Sequence, residues 1–150
     1  GKVANQFLSL IKPLLAVPKQ AAIDITAKLA RRGAGGVVCY TAGFSELGSA
    51  GQQAEAELVE AAGDMALLGP NCYGLINYHD RLALWPFAHG GMHPGFGAAI
   101  ITQSGMLSSD LTMSQRHLPL SYMVSVGNQA SLRLEDFIDI FLEIFNVLIF

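Results

Sequence analysis

Charge is scarce in this sequence. Asp, Glu, Lys and Arg make up 14% of its 150 residues while 51% are hydrophobic, and an ordinary soluble domain carries about 25% charged residues. A surface this poor in charge is expected to be covered in part by something else. The few charges are also mixed: 9 basic residues stand against 12 acidic ones, for a net charge of −3. The densest basic group, Lys28, Arg31 and Arg32, cannot follow a phosphodiester backbone, so nucleic acid is not an expected partner. Cysteine is almost missing. Cys39 and Cys72 show no CxxC spacing and no secretory leader precedes them, so the expectation is reduced thiols in a cytoplasmic protein. Long clean apolar runs are missing too. Asp136, Asp139 and Glu143 break the stretch from Leu134 to Phe150 well short of the ~20 residues a membrane span needs, and no membrane segment is expected.

What the sequence has in abundance is alternation between two periodicities. Residues 19–32 read as a helix with Ala22, Ile25 and Leu29 on one stripe and Gly33 closing it. Gly36 to Tyr40 is a continuous apolar run of the kind buried on both faces in a parallel sheet. A helix over 52–62 follows, with Ala54, Leu58 and Ala61 inward and Glu55, Glu57 and Glu60 outward, then a short strand over 65–68. Between Tyr78 and Phe96 the pattern dissolves among glycines, prolines, three histidines and the only tryptophan, and a linker is expected there. Alternation resumes with a strand at 98–101, a helix to about Arg116, and a strand at 121–126. The last helix starts near Leu134, with Phe137, Ile138, Phe141, Leu142 and Phe145 in helical register. Such alternation implies an α/β chain with parallel sheets of the doubly wound kind.

Ligands of open α/β sheets bind beyond the carboxyl ends of strands. Those ends are Val17-Pro18, Thr41-Ala42-Gly43-Phe44, Gly69-Pro70-Asn71-Cys72 and Thr102-Gln103-Ser104-Gly105, all of small or polar residues. The last lies between a strand and a helix start. There, free N–H groups and two hydroxyls would suit a phosphoryl group, although Ser104 could simply cap its helix. It is no nucleophile elbow, because Thr102 stands where GxSxG needs glycine. Cys39 reads as core. Cys72 in its turn reads as a buried inert thiol, with a ligand role as the alternative. His89 and His93 flank two glycines, so zinc is not expected, and with Trp85 and Phe87 they read as cover for an interdomain seam. Asp136 and Asp139 read as solvated charges. No residue is assigned as catalytic.

Five blocks then carry a resemblance: Ala16-Val17-Pro18; Val38 to Glu46 (VCYTAGFSE); Leu68 to Asn77 (LGPNCYGLIN); Ile101 to Gly105 (ITQSG); and Val124 to Asn128 (VSVGN), followed by Asp136-Phe137. In this order and spacing they resemble the nucleoside-diphosphate-forming acyl-CoA synthetases, the family that includes the α subunit of succinyl-CoA synthetase. The resemblance implies the distal part of a CoA-binding Rossmann-like domain over 1–85, a linker at 86–96, and the first part of a succinyl-CoA ligase-like flavodoxin-fold domain over 97–150. It implies that Val17, Pro18, Thr41, Ala42 and Gly43 line the CoA pocket, with Asn71 and Cys72 near the pantetheine thiol. Thr102, Gln103, Ser104 and Gly105 would cradle a phosphoryl group, which tips the reading of that turn toward phosphate.

The implied reaction joins a carboxylic acid and CoA at the expense of a nucleoside triphosphate, through an acyl phosphate and a phosphohistidine. The family's opening glycine-rich turn has no counterpart here, and none of His79, His89, His93 or His117 stands in the phosphohistidine context. ATP and Mg are therefore expected to enter through other family parts, and the chain alone is expected to be inactive. Its implied partners are CoA or acyl-CoA and an ATP-grasp domain or subunit, in a homo- or hetero-oligomer. The competing expectations are a non-catalytic CoA-binding regulatory module, as fused to some lysine acetyltransferases, and a remnant with no activity at all. The apolar end at 145–150 is read as a segment awaiting partner strands.

Overall fold

The computed structural model describes residues 13–91, 95–114, 118–143 and 147–149. In chain order the elements are β1 (Leu14–Leu15), α1 (Lys19–Arg31), β2 (Gly36–Cys39), a 3-10 turn (Ser45–Leu47), α2 (Ser49–Ala62), β3 (Ala66–Leu68), β4 (Gly74–Asn77), β5 (Leu82–Leu84), β6 (Gly97–Thr102), α3 (Gly105–Met113), β7 (Leu120–Ser125), α4 (Leu134–Leu142) and β8 (Val147–Ile149). They build two sheets. The first is parallel with order β1-β2-β3, and the second has order β5-β4-β7-β6-β8.

Side chains alternate across a strand, so the fully buried run of β2 must satisfy two different cores. Val37 and Cys39, with Leu15 and Leu67, pack against Ala22 and Ile23 of α1 and Leu58 and Ala62 of α2. Val38, with Ala66 and Leu68, faces the other way, toward Ala99, Tyr122 and Val124 of the second sheet and Phe137, Ile140 and Phe141 of α4. Both helices of the first half therefore lie on one side of its sheet, and the second half covers the other. The outer face of the second sheet is buried by Ile76, Tyr78, Trp85, Leu120 and Met123, with Leu111 of α3 laid against them. At about 1.5–3 kcal/mol per fully buried large apolar side chain, these clusters supply the main drive to fold.

Local chemistry sets the element ends. α1 stops where Gly33 takes a φ of +71°, letting the Gly33 and Ala34 N–H groups donate back to Ala30 and Leu29 carbonyls at 3.0 and 3.1 Å. This is the expected glycine closure. α4 starts where the Arg133 N–H donates to the Asp136 carboxylate at 2.8 Å. Asp136 is thus a helix cap, correcting its reading as a merely solvated charge.

Three findings differ from the expectation. The second sheet is mixed: β6 runs parallel to β7 and β8, but β4 is antiparallel to both β5 and β7. Second, residues 78–96 are not free of structure, because β5 lies there and forms a hairpin with β4. Its turn is held by buried Asn77, whose Oδ1 accepts from the His79 and Asp80 N–H groups at 3.0 and 3.1 Å and whose Nδ2 donates to Asp80 at 2.7 Å. Third, Val147–Ile149 has a partner strand within the chain, since β8 pairs with β6. Phe145, Phe150 and the end of the helix expected to reach Arg116 lie outside the described residues.

Gly74 opens β4 beside Val38 of the first sheet. Its φ is +105°, and a Cβ there would lie 2.2 Å from the Leu84 carbonyl oxygen and 3.1 Å from Val38 Cγ1. Gly74→Ala is expected to lower stability by about 2–4 kcal/mol through overpacking and backbone strain. Urea unfolding checks this, and an unchanged midpoint would show that the sheets do not need this approach.

Candidate functional site

Because β1, β2 and β3 are parallel, their carboxyl ends face one edge, and the loops leaving them meet there. They enclose a cleft of about 510 Å³ lined by Ala16, Val17, Pro18, Tyr40, Thr41, Ala42, Asn71, Cys72 and Tyr73. Thr41 ties the loops together. Its hydroxyl donates to the Val17 carbonyl at 2.7 Å and accepts from the Val17 N–H at 3.3 Å, while its own carbonyl accepts from the Asn71 N–H at 3.0 Å. The Thr41 side chain is thereby committed to holding the wall. Gly43 is not among the lining residues; its N–H donates to the Glu46 carboxylate. Ala16, Tyr40 and Tyr73 line the cleft without having been singled out, although each sits inside or beside a block that was.

Cys72 lines the cleft but is only 1% exposed. Its Sγ lies 3.5 and 3.6 Å from the Cys39 and Leu68 carbonyl oxygens. Burial, with the neighbouring Cys39 adding to it, pushes the Cys72 thiol far above its ordinary value, and burial pushes Cys39 up to about 11. Both are therefore neutral thiols near pH 7, and neither is a ready nucleophile.

The Thr102–Gly105 turn opens α3. Ser104 Oγ accepts from the Leu107 N–H at 3.2 Å, and Thr102 Oγ1 accepts from the Ser104 N–H at 3.0 Å. Ser104 is thus an N-cap, and each hydroxyl keeps its own proton to donate. Gln103 and Ser104 are exposed. The two strand-end sites adjoin through Tyr73. A Cβ on Gly105 would lie 2.8 Å from the Tyr73 ring, and that ring lies tilted 5.8 Å from Tyr40 and meets Phe87 edge-to-face at 4.8 Å.

A polar cluster joins the two halves beside the cleft. Asn128 Nδ2 donates to Glu46 Oε2 at 2.6 Å, Glu55 Oε2 at 2.9 Å and Ser45 Oγ at 3.2 Å, and Asn128 Oδ1 accepts from Asn71 Nδ2 at 3.3 Å. Glu55 was expected outward; the Ser45 hydroxyl and Asn128 draw it in. Partial burial works to raise the Glu46 carboxyl, but hydrogen bonds from Asn128 and the N–H groups of Gly43 and Phe44 outweigh it and hold Glu46 below its ordinary value. Only the VSVGN block hinted at Asn128, and helical spacing alone points Glu55 to solvent. His89 is exposed and meets the Tyr78 ring at 5.7 Å, while His93 and His117 lie outside the described residues. Among the described residues no three His, Cys, Asp or Glu side chains gather where a metal could sit, and no helix is long and apolar enough to cross a membrane.

Residues 96–146 match the model of the succinyl-CoA ligase-like flavodoxin domain, which gives this part of the chain the fold of a CoA-ligase domain. A trans-feruloyl-CoA synthase from an unknown prokaryotic organism is 38% identical over 133 residues, spanning 84% of this chain and 19% of that protein. The α subunit of acetate–CoA ligase (ADP-forming) II from Pyrococcus furiosus is 34% identical over 132 residues, spanning 84% of this chain and 28% of the subunit. Among solved structures, the dinucleotide-forming acetyl-coenzyme A synthetase 1 of Ca. Korarchaeum cryptofilum, known both apo and with phosphate and ADP, superposes with a TM-score of 0.78 at 30% identity over 92% of this chain. The match covers 31% of the apo chain and 30% of the chain with phosphate and ADP. Over most of its length the chain is similar to these CoA ligases, and it spans less than a third of each of them.

The raised thiols give a sign to alkaline stability. Cys39 keeps its proton in the folded state up to about 11 against an ordinary 9.0. Its contribution is complete below 9.0 and is lost as pH rises toward about 11. In the native chain neither thiol is expected to react with a disulfide reagent at pH 8 until urea unfolds it. Fast labelling of Cys72 in the folded chain would show an open, ionised thiol instead.

Proposed function

We propose that this chain supplies the CoA-facing wall and the phosphoryl-facing turn of a nucleoside-diphosphate-forming acyl-CoA ligase, which converts carboxylate, CoA and nucleoside triphosphate to acyl-CoA, nucleoside diphosphate and phosphate. The observation that carries it is the cleft at the joined ends of β1, β2 and β3. Its volume falls in the range of about 300–1,000 Å³ usual for small-molecule sites. Ala16, Val17, Pro18 and Ala42 give it short apolar walls against which an extended aliphatic arm such as pantetheine can lie. Asn71 and Cys72 line the cleft next in sequence to Tyr73, whose ring reaches the Thr102–Gly105 turn.

That neighbourhood suits the chemistry. In the step proposed, the CoA sulfur attacks the acyl carbon of an acyl phosphate, the bond from carbon to the phosphate oxygen breaks, and the thiol proton leaves to solvent. Phosphate departs with the bond's electron pair. The Thr102 and Ser104 hydroxyls and the first-turn N–H groups of α3 meet that growing negative charge as donors. Cys72, neutral and buried, serves as wall and not as nucleophile.

Nucleotide and Mg enter through a partner domain or subunit; the naming of the Pyrococcus furiosus relative as an α subunit supports a separate partner. Alone, the chain is proposed to bind CoA without forming a thioester. The reduced thiols fit a cytoplasmic setting.

Calorimetric titration of the chain with CoA tests this reading. Ala42 is exposed in the cleft, so Ala42→Trp is expected to fill the site, weakening CoA binding at least about tenfold while leaving the melting temperature unchanged. Equal CoA affinity in parent and variant would remove the cleft from consideration.

A further inference from the structure

We infer that Asn128, gripped by Glu46 and Glu55, is a positioning residue that locks the side-chain amide of Asn71 with its oxygen toward the cleft, so that the pocket offers an acceptor to a donor group on the ligand. The inference rests on the reading of the cleft as the CoA site and deepens it.

Hydrogen-bond polarity fixes the direction of both amides. An ionised carboxylate only accepts, whereas an asparagine amide donates from one end and accepts at the other. Asn128 places one end within 2.6 Å of Glu46 Oε2 and 2.9 Å of Glu55 Oε2. Only its NH2 can stand there, because the flipped amide would bring a third oxygen against two carboxylates with no proton between them. Ser45 reinforces this, since its hydroxyl donates to Glu55 at 2.7 Å and so presents a lone pair to Asn128. With its nitrogen so fixed, Asn128 turns Oδ1 toward Asn71, and the only matching group Asn71 can offer is Nδ2, at 3.3 Å.

Both backbones are pinned as well. The Asn128 N–H donates to Pro70 at 2.9 Å, and the Asn71 N–H donates to Thr41 at 3.0 Å, so the two amides cannot drift apart. Asn71 is exposed and lines the cleft, and among the described residues nothing pairs with its Oδ1. The groups on a CoA arm that answer such an acceptor are its amide N–H groups and its terminal S–H. An unlocked Asn71 could also turn its NH2 to the cleft, and an NH2 cannot accept from either group.

The test is a double-mutant cycle on CoA affinity in the full chain. Asn128→Ala is expected to weaken CoA binding about fivefold, as the loss of one oriented hydrogen bond does, and Asn71→Ala about as much. The double variant should be no weaker than Asn71→Ala alone, because Asn128 acts through Asn71. A structural role would not produce that coincidence, nor would it change the NMR signature: in 15N-labelled chain the Asn71 side-chain amide protons should be protected from exchange and lose protection in Asn128→Ala. Where Asn128→Ala does not fold, Glu55→Gln keeps the shape of the cluster, relaxes the polarity of one neighbour and should give the same signature with about a twofold loss. Additive losses in the cycle, or an Asn71 amide unprotected in the parent, overturn the inference. Absence of CoA binding by the parent, with the Asn71 amide still protected, overturns the cleft's proposed function and leaves the lock as geometry without that ligand.

Discussion

Val38, Ala66 and Leu68 point away from the helices of their own half, and the rest of the structure depends on what covers them. A parallel sheet is stable only with both faces out of water, yet α1 and α2 protect one face. The other is closed by side chains from β6, β7 and α4. Backbone hydrogen bonds fasten this cover: the N–H groups of Asn128, Ala130 and Leu132 donate in turn to Pro70, Gly69 and Leu67 at 2.9, 3.0 and 3.1 Å. The residues that follow β7 thus lie along the end of β3 and the loop beyond it. The two halves share one core, and the cleft forms on a rim that both halves hold in place.

The same constraint accounts for the shortage of charge. A seam that buries two sheet faces and one side of a helix demands apolar residues from elements in both halves. Part of the surplus has no such explanation among the described residues. Met106, Leu107 and Met113 of α3 are 74, 51 and 55% exposed, and Leu142 is 71% exposed. Scarce charge therefore has two homes: an internal seam that the fold satisfies, and the outer side of α3, which the described residues leave uncovered.

How far the sequence could be read follows from the range of the forces involved. Helices and buried strands were legible because their signals are local: the 3.6-residue stripe of α1, the β-branched run of β2 and the closure at Gly33 each depend on a few neighbours. β4 and β5 were not legible as strands. Gly74 and Asn77 weaken the pattern of β4, and β5 has only three residues, half exposed, held by their antiparallel partner and not by propensity. The strand-end loops were legible as a group, since small and polar residues after a buried run mark a carboxyl end. Which of them would share a wall was not. Val17, Pro18, Thr41, Ala42, Asn71 and Cys72 do meet, while Gly43 turns to Glu46.

Glu55 shows why the remainder stayed hidden. Helical spacing puts it among the solvent-facing glutamates of α2, and on an isolated helix that is where it would be. It turns in because the Ser45 hydroxyl and Asn128, brought from the far half of the chain, supply donors that compensate for lost water. Those donors exist at that place only after β7 has paired and the following segment has aligned along β3. Polar residues of this kind are positioned by the completed fold, so their roles emerge only when both halves are in contact. A carboxylate pair then sets the direction of one amide, and that amide the direction of the next. Orientation thus passes from the seam to the cleft through four side chains, Glu46, Glu55, Asn128 and Asn71, by polar contacts alone.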